Sequence, residues 1–413
     1  MRLFKKLLIG ILLVATIAVV VYYPNLKNVW RAIHFFDKEV IVENFTTINR
    51  NWKTLEIKRP VVPYIFPKGH QMNLPEAFSY KTKTFNSKDY LDSSFTTGFL
   101  ILQDDSLTFE KYYLGNTDTT RHISWSLAKS FVSALFGIAM EEGYIKSLEQ
   151  HVDEYLPGLK GSGYEGVKIK DVLQMSSGVK FNEDYGDFFS DINRWGRYFA
   201  WGASQEKFAA SLKKDVPPGT YRRYVSINTQ VLGMIIVKAT RKSLTQYLQE
   251  KIWQKIGMEY SGYWVVDNEG MEVALCGLNA TLRDYAKFGQ LYLKKGNWQG
   301  AQVVPEKWVH ASITPDAPHL MPGKNSNSDS EFGYGYQWWV PEGDDEEFMG
   351  LGVYNQDIYI NLTTKTVIVK NSANHRFNEK GNPYADRFVI LELYRAIAHS
   401  SNALLSSNDL QIK

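Results

Sequence analysis

The chain opens with residues 7–23, an apolar run broken only by Thr16, preceded by Arg2, Lys5 and Lys6 and closed by Pro24. Such a run stands at the short end of what crosses a bilayer, and Leu3-Phe4 and Tyr22-Tyr23 extend it. Basic residues before it predict an inner N-terminus and an outer body. A cleaved signal peptide competes, but the best cleavage site, Thr16-Ile17-Ala18, runs straight into Val19-Val20-Val21 and is poor. The expectation is an uncleaved anchor over residues 1–25, then a proline-punctuated strap over 26–75 with Pro60, Pro63 and Pro67.

From residue 76 onward the periods change. Residues 98–102 and 107–113, separated by the Asp104-Asp105-Ser106 turn, read as a hairpin. Leu127, Phe131, Leu135 and Ile138 keep helical spacing, with Gly143 as the stop after Glu141-Glu142. Helical patterns and loops then dominate from about 150 to 295, including 169–175 and 244–253. Alternation returns at 335–340, 357–361 and 366–370, and 384–398 closes as a helix. Strands at both ends with helices between them predict an α+β body. One antiparallel sheet is built from both chain ends, flanked by helices, with a mainly helical region inserted over about 150–295. The body is expected to be one hydrolase domain over 76–413, and the polar loop 323–331 to be mobile.

Composition adds mostly exclusions. The 413 residues carry 47 basic and 44 acidic side chains, well mixed, for a net charge of +3 and no basic footprint for nucleic acid. Cys276 is the single cysteine, which rules out an internal disulfide and a cysteine-based zinc site. The eight histidines show no metal-ligand spacing. No metal and no organic cofactor is expected. Oligomeric state is open.

Candidate chemistry begins at Ser126-Leu127-Ala128-Lys129. Residues three apart on a helix share a face, so the lysine amine lies beside the serine hydroxyl, and a helix start favours an oxyanion. A serine hydroxyl is a weak nucleophile without such a neighbour. Ser-x-x-Lys also occurs at Ser177, Ser204 and Ser211. Ser177 runs into Gly178, Ser204 reads as a helix cap and Ser211 closes a helix. Only Ser126 opens a buried one. A second element, Tyr224-Val225-Ser226, follows the turn at Pro217-Pro218-Gly219. A tyrosine beside a lysine ammonium has its pKa lowered and can serve as a base, while Ser226 could donate to the lysine or the substrate. Arg222 and Arg223 precede it, either as a source of positive field or as a solvated pair. His122 is close in sequence, but the Gly-x-Ser-x-Gly elbow of α/β-hydrolases is absent.

Taken together, Ser124 through Phe131, Leu173 through Gly178, Pro218-Gly219-Thr220, Tyr224 through Gly233, Gly277 through Thr281 with Asp284, and Tyr334 through Trp339 resemble the serine β-lactamase and penicillin-recognising family. They are most similar to its class C-related branch, which holds 6-aminohexanoate-dimer hydrolase and related carboxylesterases. The resemblance spans roughly residues 80–400 and implies the β-lactamase-like fold. It implies Ser126 as nucleophile, Lys129 as its base, and Tyr224 as the relay that protonates the leaving group. An oxyanion hole is implied between the Ser126 N–H and a late strand near Gly352 and Val353. The family's Lys-Thr-Gly or His-x-Gly on that strand is missing, and Asn355 stands where a glycine is common. Tyr185 and Asp191 fall in its pocket-lining loop. With Ser226, Asn279, Tyr354 and Asn355 they are the expected substrate-binding residues.

The function expected is a hydrolase on the outer face of a bacterial cell membrane, cleaving a small-molecule ester, amide or peptide through a Ser126 acyl-enzyme. A D-amino-acid peptidase or β-lactamase is the second reading, weakened by the missing Lys-Thr-Gly. A non-catalytic binder of wall fragments is the third.

Overall fold

A computed structural model describes residues 2–409. Its centre is a seven-stranded antiparallel sheet in the order Gly333–Tyr334, Trp339–Val340, Glu347–Gly352, Gln356–Asn361, Thr366–Ser372, Thr96–Gln103, Ser106–Tyr112. The early hairpin pairs with the last long strand, Ile101 lying opposite Ile368. Alternation along the strands divides the interior in two. Leu100, Leu102, Val367 and Val369 face the larger core, against Phe288 and Leu291 of the helix Leu282–Leu293. Phe99, Ile101, Tyr359 and Ile368 face the other way, onto Ile390, Leu393 and Ile397 of the helix Arg387–Asp409. With both faces covered, strand Thr366–Ser372 is buried along its whole length.

The inserted helical region contributes its own side chains to the larger core, among them Val172, Val231 and Leu244. Its long helix Ser226–Thr240 lies against the helix Ala128–Glu141. The latter ends where expected, at Glu142 with Gly143 at φ +76°.

Four features depart from the sequence reading. The N-terminal helix does not stop at Pro24 but runs from Arg2 to His34, so helix replaces the first part of the expected strap. Residues 335–340 do not form one strand; the chain reverses at Gln337, φ +64°, between two two-residue strands. The strand Glu347–Gly352 lies beside Gln356–Asn361. A second sheet, Thr54–Ile57, Gly262–Val265, Leu278–Ala280 and His122–Ile123, joins strap, insert and the approach to Ser126.

Candidate active site

Ser126 sits in a single 3₁₀ turn, Trp125–Leu127, that feeds directly into the helix Ala128–Glu141. Trp125 occupies the left-handed region at φ +47°, a conformation costing about 1–3 kcal/mol for a bulky residue. An aromatic cage holds it there: Phe36, Phe45 and Tyr354 have ring centroids 5.5, 5.2 and 5.7 Å from the Trp125 indole. On the other flank the strand Glu347–Gly352 crosses close to the turn. A Cβ on Gly350 would meet Leu127 Cδ1 at 2.5 Å, and one on Gly352 would meet the Ser124 carbonyl at 2.6 Å. Gly352 is therefore required for close approach to backbone, while at Gly350 the clash is with a side-chain end.

Lys129 is fully buried, and its Nζ lies 2.8 Å from Ser126 Oγ and 2.8 Å from the Leu275 carbonyl. Removal from water pushes its pKa down to about 8, against the pull of the Glu183 carboxylate. About a tenth of it is therefore neutral at pH 7, far more than for an ordinary lysine. Tyr224 completes the group: its ring centroid is 5.3 Å from Lys129 Nζ, and its hydroxyl meets the Ser126 side chain. Trp339 stacks on this ring at 5.2 Å, and Asp329 accepts the Tyr224 backbone N–H at 2.8 Å. The structure thus brings Ser126, Lys129 and Tyr224 together. It reverses one expectation, since the Tyr224 pKa is raised. Burial and the Glu183 charge outweigh the hydrogen bond with Ser126. A phenol in that state donates and relays protons; the lysine is the better resting base.

Sequence reasoning missed Glu183. Its carboxylate accepts the Ser226 hydroxyl at 2.5 Å, the Ser226 N–H at 3.1 Å and the Tyr185 hydroxyl at 3.0 Å. It sits at the N-terminus of the helix Ser226–Thr240, where a negative charge is favoured. Burial raises its pKa, while Lys129 and the Ser226 hydrogen bonds draw it back. Ser226 is therefore committed to Glu183 rather than to the lysine or a substrate. Nothing in the linear pattern distinguishes Glu183 from Asp184, Asp187 or Asp191. Arg387 is the second addition. From the terminal helix it hydrogen-bonds the Gly352 carbonyl and pairs with the buried Asp357. In a planar trans peptide this turns the Val353 N–H away from Arg387.

A cavity of about 400 Å³ has Ser126, Tyr185, Val353 and Tyr354 in its wall. The other expected binding residues stand elsewhere. Asp191 closes its own loop, accepting from the Asn182 N–H at 2.8 Å and from Arg194 at 2.9 Å. Asn279 is buried in the second sheet opposite Ile123, donating to the Gly277 carbonyl at 2.9 Å. Asn355 is a turn residue at φ +65°, one of the few types that tolerate that region, and it accepts from Asn374 at 2.9 Å. His122 is buried and held neutral, its pKa pushed down to about 4 by desolvation. Arg222 is not solvated: it is buried, paired with Asp329 at 3.1 Å and stacked near Trp339. Arg223 pairs with Asp215.

Comparison with known proteins identifies the family. Residues 95–391 match the family model described as Beta-lactamase. A 6-aminohexanoate-dimer hydrolase of Paenarthrobacter ureafaciens is 30% identical over 291 residues, 68% of this chain and 74% of that one. A putative 6-aminohexanoate-dimer hydrolase from Bacillus anthracis superposes with a TM-score of 0.79 at 28% identity, covering 89% of this chain and 96% of the other. A class C beta-lactamase superposes at 0.52 with 17% identity over 76% of this chain and 97% of its own, which is a likeness of fold alone. The chain belongs to the Beta-lactamase family and is a serine hydrolase of the amidase or esterase type.

Proposed function

We propose that this protein is a membrane-anchored hydrolase that cleaves an ester or amide through an acyl-enzyme on Ser126, with the catalytic body on the outer face. The observation that carries the chemistry is the fully buried Lys129, 2.8 Å from Ser126 Oγ with its pKa drawn down to about 8. Neutral Lys129 takes the Ser126 proton as Oγ attacks the carbonyl carbon. The carbonyl oxygen becomes an oxyanion between the N–H groups of Ser126, at the start of its helix, and Val353, oriented through Arg387. The bond to the leaving oxygen or nitrogen then breaks as Tyr224 hands it a proton, resupplied from Lys129. Water attacks the acyl-enzyme, gives its proton back through the same pair, and releases the acid.

The anchor rests on the helix Arg2–His34, which is long and apolar enough to cross a membrane and carries its basic residues ahead of the apolar run. The chemistry is tested by treating the full-length protein in detergent with a fluorophosphonate and reading intact mass. One adduct on wild type and none on Ser126→Ala is the expected result. An adduct that persists in Ser126→Ala, or none on folded wild type, refutes the assignment.

A further inference from the structure

The cavity beside Ser126 is walled mainly by apolar side chains, and part of that wall comes from the N-terminal helix and its exit. Ala32, Ile33, Phe35 and Phe36 line it. The opposite side is supplied by the helix Asp191–Ala200, through Ile192, Trp195 and Phe199. These two helices pack on each other. Their contact continues toward the apolar run: Tyr22 stacks on Trp201 with centroids 5.8 Å apart, and Asn25 Nδ2 donates to the Trp201 carbonyl at 2.5 Å. Tyr22 closes the apolar run, at the level where aromatic residues mark the edge of a bilayer. The rim carries exposed apolar side chains: Ile33 at 46%, Phe188 at 52% and, beside it, Phe189 at 83%. Apolar side chains therefore dominate the way from the end of the apolar run to the nucleophile, with Arg197 the charged exception, its guanidinium lying over the Phe188 ring at 4.0 Å.

Which part of a substrate enters is fixed by Tyr224. The residue that protonates the leaving group is absent from the cavity wall, whereas Ser126 and Val353 are in it. That placement favours the acyl side of the scissile bond for the cavity. Its volume of about 400 Å³ falls within the range of roughly 300–1,000 Å³ that holds a whole small ligand.

We propose that the substrate class is a long-chain acyl ester or amide drawn from the bilayer to which the enzyme is tethered, its hydrocarbon tail filling this cavity. The inference rests on the hydrolase reading above and specifies the same site. Attack by Ser126 releases the head group as an alcohol or amine and leaves the fatty acyl chain on Oγ. Water then frees it as a fatty acid, which returns along the same path.

The test uses the full chain reconstituted in phosphatidylcholine–phosphatidylglycerol vesicles. Hydrolysis of p-nitrophenyl acetate, hexanoate and dodecanoate is measured, with fluorophosphonate labelling of Ser126 in the same samples. Each methylene buried should raise kcat/KM roughly fourfold until the cavity is full. Gly196 lines the cavity, and a Cβ placed on it has no atom within 4 Å. Gly196→Phe should therefore fill the space and cut the dodecanoate-to-acetate ratio by roughly tenfold or more. A flat or falling chain-length profile with Ser126 fully labelled overturns the acyl-chain proposal and leaves the hydrolase reading standing. Unlabelled Ser126 in folded protein overturns the hydrolase reading itself. Oleate ester of 4-methylumbelliferone should be hydrolysed faster when doped into the enzyme's own vesicles than when offered in separate ones; equal rates refute the bilayer as the source.

Discussion

Lys129 and Lys287 are both fully buried lysines on the helices that flank the larger core, and burial pulls the pKa of each downward. Their surroundings differ in kind. Lys287 lies 3.2 Å from Glu259, 3.5 Å from Asp284 and 2.9 Å from the Gly257 carbonyl. Asp284 also accepts the Glu259 N–H at 2.6 Å, so the cluster ties the helix Leu282–Leu293 to the chain before the second sheet. Lys129 has two close partners, a hydroxyl and a carbonyl, both uncharged. Glu183 acts on it through space, its oxygens already engaged by Ser226 and Tyr185. Lys287 is thus held by carboxylates in contact, whereas Lys129 has neutral contacts and a carboxylate at a distance, the setting in which a proton can be surrendered.

Breaking the two lysines should therefore give opposite phenotypes. Lys129→Met should lower kcat/KM toward a good ester by about 10³-fold, because a positioned general base is worth about 10²–10⁴. Its denaturant midpoint should not fall, since an uncharged side chain suits that site. A wild-type rate refutes Lys129 as base. Lys287→Met removes the cation between two buried carboxylates, leaving Glu259 to Arg283 and Asp284 to its N–H and hydroxyl donors, and should cost about 3 kcal/mol in urea unfolding. The fraction that remains folded should still take up fluorophosphonate at Ser126. Loss of labelling in folded protein would show the two regions to be one unit.

The smallest effect sharpens the contrast. The Glu183 carboxylate favours the charged form of Lys129, so Glu183→Gln removes a negative charge that raises the lysine pKa. The ascending limb of the kcat/KM–pH profile, which follows loss of the Lys129 proton near 8, should move to lower pH. A limb that stays or moves upward removes Glu183 from this role.

The parts of the molecule legible in the sequence are those with sustained period or fixed spacing. The Thr96–Tyr112 hairpin and the strand Thr366–Ser372 have runs long enough for alternation to register. Ser126 and Lys129 were legible because three residues on a helix is itself a distance. The second sheet was not, since strands such as His122–Ile123 and Leu278–Ala280 are too short to carry a period. Pro24 reads as a stop in the sequence, yet the helix carries on to His34, nearly three more turns. At the site, loop residues were the weak point. Tyr185 and Tyr354 line the cavity, while Asp191, Asn279 and Asn355 satisfy nearby backbone or amide groups instead. Where a loop folds back decides which acid meets Ser226, and that depends on contacts far away in sequence.

A sheet assembled from both chain ends also sets a timetable. Strand Thr96–Gln103 emerges early, but the strand that completes its pairing, Thr366–Ser372, lies about 270 residues downstream. At about 5–20 residues per second of synthesis, the hairpin waits on the order of ten to fifty seconds with one edge unpaired. During that interval its Phe99-Leu100-Ile101-Leu102 segment is a template for pairing with any passing chain. A truncation after residue 361 would remove the partner strand and leave that edge open permanently.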